Sequence, residues 1–270
     1  MCIVIYVVKN MSETGKIMLF KLSRPQRFIN ILECVEALND EATLRFTENE
    51  LHILEVDKTH EAMVELKLPS DAFDSWHGYE GNVSVNLTTM LKVLGKITKD
   101  DELKVYLIPF EEQGHNPKLE FVIRGAKSLT RAKKMGSLEP IDDEVPQPKI
   151  FFKSATRIVT DALKFAIEDL KETSHICLTS TSEGLEFSTI DDMSSNSTKF
   201  RKGDDNTIDH RLEEDSKATY STEYLVIILK VINRVAEATV ISISNNMPIK
   251  IDAEMPKGTL TYYIAPIILD

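Results

Sequence analysis

The chain has only three cysteines, Cys2, Cys34 and Cys177, in 270 residues. They are too few and too scattered for a disulfide framework, and Cys34 and Cys177 fall in apolar periodic segments that predict buried thiols. A reducing compartment is the expectation. No apolar run approaches the roughly 20 residues that a membrane helix needs. The N-terminal run Ile3–Val8 has no basic residue ahead of it and no small-residue cleavage site, so no targeting signal and no membrane partner are read. Ten glycines and ten prolines exclude low-complexity linkers. Catalytic patterns are missing as well. None of the six histidines (His52, His60, His77, His115, His175, His210) stands with another His or a Cys at metal-ligand spacing, and no phosphate-cradling glycine loop or nucleophile elbow occurs. The acid runs Asp191-Asp192, Asp204-Asp205 and Glu213-Glu214-Asp215 lack EF-hand spacing and read as solvated surface. The expectation is a protein that is not an enzyme and needs no metal or cofactor. The rival from that class is a metal-dependent enzyme built on Asp191–Asp215.

What is present is a composition of 42 % hydrophobic and 28 % charged residues, as in a folded globular chain of about two domains. The chain also repeats itself. Thr47-Glu48-Asn49-Glu50-Leu51 runs on to Asp57, and 134 residues later Thr181-Ser182-Glu183-Gly184-Leu185 runs on to Asp191. Met90, Leu94, Ile97 and Val105 have counterparts in Leu225, Leu229, Ile232 and Val240, each 135 residues on. A repeat of half the chain implies two similar domains rather than a solenoid.

Helical spacing predicts four helices: one opening at Ser23 and Pro25 and carrying Phe28 to Leu38, one capped by Asn86 or Thr88, one opening at Ser154 or Thr156, and one opening at Ser221. Alternating segments predict strands at 42–47, 51–56, 61–68, 103–108, 119–124, 176–180, 185–190, 239–244, 249–255 and 260–264, with a further strand and a loop in Ser194–Asp215. The expected class is α+β, with antiparallel sheets carrying helices on one face. Residues 127–149 read as a connector, basic from Lys127 to Lys134 and acidic from Glu139 to Glu144, with Pro140, Pro146 and Pro148 favouring an extended path. The resulting division is 1–17 as an extension, 18–126 as the first domain, 127–149 as the connector and 150–270 as the second domain.

Net charge is −11, which argues against gripping nucleic acid with the whole surface. The predicted helices nevertheless carry paired cations: Arg24 and Arg27, Lys92 and Lys96, Arg157 and Lys164, Lys230 and Arg234. Spacings of four or seven put each of the last three pairs on one polar face. If the helices line one concave surface, that surface would hold phosphates without reading bases.

From about Met18 to Asp270 the chain resembles the sliding clamps of the proliferating cell nuclear antigen type. The resemblance is carried in order by Val56-Asp57-Lys58-Thr59-His60, Val85–Lys92, Glu144-Val145-Pro146, Tyr224-Leu225 to Lys230, Met247-Pro248-Ile249 and Tyr262-Tyr263-Ile264-Ala265-Pro266. It implies a DNA clamp fold, two domains of sheet outside with two helices each on the concave inner wall, and a ring of three chains closed head to tail. That ring would be a homotrimer or a heterotrimer with paralogous clamp chains. The implied function is a processivity factor that encircles double-stranded DNA non-specifically and tethers DNA polymerase. Clamp loader, flap nuclease and DNA ligase are the further implied partners. A checkpoint-type clamp subunit and a scaffold that never encloses DNA are the alternatives. The eight cations above become DNA-facing residues. The implied partner-peptide pocket uses Val56, His60, Met63, Val145, Pro146, Pro248, Ala265, Pro266 and Ile268. The implied subunit interface lies on Lys118–Arg124 (Leu119, Phe121, Ile123) and roughly Met193–Arg201 (Met193, Phe200). Val56 in place of the usual Met and Ile267 in place of a common basic residue depart from the pattern and bear on partner preference. The implied location is the cytoplasm of an archaeon or the nucleus of a eukaryote.

Overall fold

A computed structural model describes residues 15–109, 116–125, 129–139, 148–189 and 196–268. In chain order these form β1 (Ile17–Leu22), α1 (Gln26–Glu36), β2 (Glu41–Phe46), β3 (Glu50–Val56), β4 (Ala62–Pro69), a 3₁₀ turn (Ser70–Ala72), β5 (Ser75–Trp76), β6 (Gly81–Asn86), α2 (Leu87–Leu94), β7 (Glu102–Ile108), β8 (Lys118–Arg124) and β9 (Thr130–Gly136). The sequence then repeats the scheme with β10 (Ser154–Val159), α3 (Thr160–Leu170), β11 (His175–Thr181), β12 (Gly184–Thr189), β13 (Ser197–Arg201), β14 (Thr207–Leu212), β15 (Ser216–Ser221), α4 (Thr222–Ile232), β16 (Ala238–Ile243), β17 (Ile249–Ala253) and β18 (Thr259–Ile264).

The chain divides into two compact units. The first contains residues 1–55 and 66–144, and the second contains 56–65 and 145–270. In the first, strands run β5-β1-β7-β8-β9 and β6-β2-β3-β4; in the second, β14-β10-β16-β17-β18 and β15-β11-β12-β13. The two orders correspond strand for strand. So does the register: Phe46 opposes Leu51 in the first unit, and Ser180 opposes Leu185, 134 positions on, in the second. The repeat in the sequence is thus a repeat of hydrogen-bonding pattern as well as of composition.

Local physics explains the elements. Asn86 caps α2, its side chain accepting from the Thr89 amide at 2.9 Å, as a short polar side chain does for an orphan helix N–H. Phe28, Ile31, Leu32 and Val35 of α1 are buried at i, i+3, i+4, i+7 spacing. The first core gathers rings from separate elements: Phe20 and Phe73 lie 4.8 Å apart between centroids, and Phe73 and Trp76 the same. In the second core Phe187 meets Phe200 edge to face at 5.8 Å. Gly184, with φ +140°, opens β12, and a Cβ there would stand 2.0 Å from the Phe200 carbonyl oxygen on β13.

Three expectations are corrected. The connector 127–149 contains a strand, β9, paired with β8 along its length. Three of its seven residues are basic and only Met135 is buried, so apolar alternation could not reveal it. The third helix opens at Thr160, not at Ser154 or Thr156, because Ser154–Val159 is strand β10 between β14 and β16. The Ser194–Asp215 region holds two strands, β13 and β14, around a turn. The strands β1, β5, β6 and β15 are not among those expected from the sequence. Val145, Pro146, Met193, Asp191 and Asp192 lie outside the described residues, as do residues 1–14 of the extension.

Candidate functional site

The polar centre of the second unit is Asp57, in the turn after β3. The residue is 6 % exposed. Its Oδ1 accepts from the backbone amides of Glu61 (2.9 Å) and Ala62 (2.7 Å), and its Oδ2 accepts from the Thr59 amide (3.2 Å), the Thr59 hydroxyl and the Tyr224 hydroxyl (2.5 Å). Burial pushes this carboxyl up, but the hydroxyls of Thr59 and Tyr224 and the Ala62 amide together outweigh it and hold the group below the usual carboxylate range. The same bond raises the Tyr224 phenol, after the larger effect of its own desolvation. A loop this closely bonded can turn sharply, and His60 sits in the left-handed region at φ 60° with its side chain in solvent.

The C-terminal tail is tied beside this loop. The Ala265 amide donates to the Glu61 carbonyl at 2.7 Å, and the Ile267 amide donates to the Thr219 carbonyl at 2.7 Å. Ile249 opposes Ile264 in the β17–β18 ladder, which places Pro248 and Ala265 at the same end of the pair. Tyr220, fully buried, donates to the Met247 carbonyl at 2.8 Å and fixes the β16–β17 turn; burial pushes its phenol up. The loop 57–61, the tail 265–268 and the turn 245–248 therefore form one braced surface. Of the expected pocket residues, Val56, Pro248, Ala265 and Pro266 are half-buried, His60 and Ile268 are exposed, and Met63 is buried at 6 % exposure, where it is core rather than lining. Asp57, Thr59 and Tyr224 were given no role in the sequence reading, although two of the motifs singled out there contain them.

The cations expected on the helices are dispersed. Only Arg27, Lys92, Lys164 and Lys230 lie within helices. Arg24 precedes α1, Lys96 follows α2 and Arg234 follows α4, all exposed. Arg157 is on β10, and its guanidinium forks onto Glu254 with Nε to Oε1 at 2.7 Å and Nη2 to Oε2 at 2.5 Å. That fork, more than the nearby charge, raises the Arg157 pKa and lowers that of Glu254. Lys164 stands 3.8 Å from Glu168, one turn on. The four helices also carry Glu33, Glu36, Asp161, Glu168, Asp169 and Glu223, so four bases face six acids. The helices alone do not make a basic wall. Within each unit the helix pair is antiparallel, the Thr88 hydroxyl at the start of α2 reaching Glu36 at the end of α1 at 2.8 Å.

The expected interface residues are core residues. Leu119, Phe121 and Ile123 are each at most 1 % exposed, and Phe200 is 5 % exposed. Strand β8 has a neighbour on each side, so it is β9 that lies at an edge of that sheet, as β13 lies at an edge of its own. The alternation of β8 records burial in its own sheet. On β9, Arg131 Nη2 meets Asp101 at 3.1 Å and Nη1 reaches the Lys96 carbonyl at 3.3 Å, while Lys133 donates to the Val93 carbonyl. Both bases thus serve carbonyls at the C-terminal end of α2, where the helix leaves acceptors unsatisfied and the dipole is negative. Buried Glu120 on β8 is met by Lys16 at 2.5 Å and by Lys134 at 3.7 Å. Beside β13 lies a groove of about 440 Å³ between that strand and α3.

Two family descriptions match the chain: proliferating cell nuclear antigen, N-terminal domain, over residues 18–142, and proliferating cell nuclear antigen, C-terminal domain, over residues 149–267. The chain is 23 % identical over 244 residues to a protein named DNA polymerase sliding clamp 1 from Pyrobaculum aerophilum, covering 89 % of this chain and 94 % of the relative. It is 25 % identical over 253 residues to DNA polymerase sliding clamp 3 from Aeropyrum pernix, covering 92 % and 98 %. A solved structure described as a PCNA2-PCNA3 complex from Sulfolobus tokodaii superposes with a TM-score of 0.81 at 22 % identity, over 93 % of this chain and 99 % of that one.

Proposed function

Because the chain belongs to the proliferating cell nuclear antigen family, we propose that it works as one subunit of a ring that encircles duplex DNA and tethers DNA polymerase to it. The observation that carries this reading is the internal repeat of topology, with β9 and β13 among its edge strands. At the end of β18 the chain bonds to the residue before β4. Their counterparts by strand order are β9 and β13, each with a single neighbour among the described strands. Pairing β9 of one copy with β13 of the next repeats head to tail and closes if the rotation closes. The names of the relatives, DNA polymerase sliding clamps, support the same reading.

The protein acts by binding rather than by bond-breaking chemistry. Encirclement supplies processivity, so the inner surface needs only weak, salt-dependent phosphate contact. Arg24, Arg27, Lys92, Lys96, Lys230 and Arg234, all exposed, are the cations proposed to supply it. The surface around Val56, His60, Pro248, Ala265, Pro266 and Ile268 is the proposed dock for short partner segments of clamp loader, flap nuclease or ligase. There the braced tail offers backbone groups and the half-buried apolar residues offer anchors.

The test is topological. The protein is loaded onto nicked circular DNA by a clamp loader and the circle is then cut. Retention on the circle with loss from the linear form is expected, and equal retention on both overturns encirclement.

A further inference from the structure

We infer that His210 is a proton-operated latch in the second unit: neutral, its imidazole fastens the tip of the β11–β12 hairpin to the edge strand β14, and charged, it lets that corner open. The first unit has the same fastening, made by a side chain that takes up no proton. The latch stands or falls independently of the sliding-clamp reading.

Both repeats tie a hairpin to a neighbouring edge strand in the same way. In the first unit the Trp76 indole on β5 donates its Nε1–H to the Glu48 carbonyl at 2.9 Å and the Thr47 carbonyl at 3.3 Å, in the β2–β3 turn. In the second unit His210 on β14 brings Nε2 to 2.8 Å from the Thr181 carbonyl. Trp76 and His210 lie 134 positions apart, as do Thr47 and Thr181. The cross-strand neighbour differs to match. Trp76 stacks on Phe20 with ring centroids 6.3 Å apart, whereas His210 meets the Thr156 hydroxyl with Nδ1 at 2.9 Å. Among the described residues His210 is the only buried histidine.

These bonds fit one protonation state. A carbonyl only accepts, so Nε2 carries the hydrogen and Nδ1 offers its lone pair to the Thr156 O–H. A second proton on Nδ1 turns that acceptor into a donor. The Thr156 oxygen accepts it only by aiming its own hydrogen elsewhere, at a position 0 % exposed and with no other hydroxyl bond among the described residues. The new charge would also be buried without an acid beside it. Asp209 gives Oδ1 to the His210 main-chain amide (2.9 Å) and Oδ2 to Arg211 (3.0 Å). Arg157, opposite Asp209 on β10, is forked onto Glu254. In the hairpin turn Glu183 is held by Lys199 of β13 at 2.7 Å, and Arg201 is exposed at the end of that strand. Strands β11 and β12 add only His175 and Glu186. The turn before β14 adds the exposed Lys202, Asp204 and Asp205, and the α3 acids Asp161 and Asp169 line a groove that takes in Thr207 but not His210.

The bonded arrangement therefore belongs to the neutral imidazole, and acid favours the opened corner, where water solvates the charge. The pieces that open are joined. The Lys202 amide donates to the Glu183 carbonyl at 2.8 Å, and Gly184 opposes Arg201, so the hairpin tip, the end of β13 and β14 form one corner. Strand β14 has β10 as its one neighbour in the sheet, which leaves His210 to hold its other side.

The experiment is hydrogen exchange on the intact chain, expressed as protection factors, at about pH 7 and about pH 5.5, on either side of the range in which imidazoles charge. Protection at 180–185 and at Thr207–Leu212 is expected to fall at least about tenfold in acid, while 46–51, held by Trp76, keeps its own. His210→Gln retains a donor for the Thr181 carbonyl and takes up no proton, so its protection is expected to be the same at both pH values. Its melting temperature checks its folding. Nitrogen-15 shifts of the imidazole in the unaltered chain are the second readout and need no variant. They are expected to show the Nε2–H tautomer at neutral pH and to report charging in step with the loss of protection. Equal loss at 46–51 and at 180–185 overturns the latch, as does the same loss in His210→Gln. An imidazole that charges with protection unchanged overturns it too, and so does one that stays neutral while the corner loosens. None of these readouts involves retention on circular DNA, so the sliding-clamp reading is judged separately.

Discussion

The hydroxyl of Tyr224 on α4 donates to Oδ2 of Asp57 at 2.5 Å across 167 residues of chain. It fastens the loop after β3 to a helix of the second unit, next to the point where the tail bonds to Glu61. Replacing Tyr224 by Phe removes one donor from a buried carboxylate while keeping the ring. The expected cost is about 1–3 kcal/mol of unfolding free energy, read from urea denaturation. The proposed peptide dock should weaken with it, measured by titration of a partner peptide.

Asp57 also sets a pH dependence. Its folded pKa lies below its unfolded value near 3.8. The unfolded state therefore binds the proton more tightly, so the contribution is fully present above about pH 4 and is lost as pH falls through the folded pKa. Asp74, Glu102 and Glu254 act in the same direction, whereas burial raises Glu55 above its ordinary value and makes it act oppositely. Comparing wild type with Asp57→Asn isolates the one group. The stability difference between the two should shrink steadily as pH falls below about 4.

At the β12–β13 contact, Gly184→Ala should be costly beyond its loss of one hydrogen atom. The φ of +140° disfavours any side chain, and the new methyl would collide with the Phe200 carbonyl. The expected loss is about 1–3 kcal/mol, the range for strained backbone positions. Because β13 must move, the mass of the assembly should fall together with the melting temperature.

Asn86→Ala removes the cap of α2 and should cost about 1 kcal/mol, with no effect on peptide docking. Circular dichroism melts and a peptide titration on the same protein check both halves of that statement.

For the DNA-facing reading, Lys92→Glu with Lys230→Glu should lower polymerase stimulation and reduce its sensitivity to salt, while peptide docking stays unchanged. Arg157→Glu tests something else. It sets a carboxylate against Glu254, and Glu254→Arg in the same chain should recover the melting temperature. Recovery of stability without change in DNA retention would mark Arg157 as structural.

Much of the fold was legible because apolar period and burial agree. Ala62, Val64, Leu66 and Leu68 were read as one face of a strand, and all four are buried. Strand β9 was not legible, since among its side chains only Met135 is buried and its bases engage α2 and Glu120 instead of a core. The phase of Ile158, Leu163 and Ala166 ran across the β10–α3 boundary, hiding the strand and moving Arg157 onto a helix it does not occupy. For the interface, Leu119, Phe121 and Ile123 showed a periodicity that any half-buried strand shows, so the pattern located a sheet but not its edge. The docking residues could be named from motifs. Their support could not, because Asp57 and Tyr224 are joined only in three dimensions.

The membership of residues 56–65 in the second unit also bears on how the molecule was copied and how it folds. The stretch repeated in the sequence and the stretch that packs as one compact unit are offset from each other. A fragment ending at residue 144 would keep Asp57 with four of its five donors but lose the Tyr224 hydroxyl, and it would lose the tail amide that bonds to the Glu61 carbonyl. The sequence repeat divides this protein at one place, and its packing divides it at another.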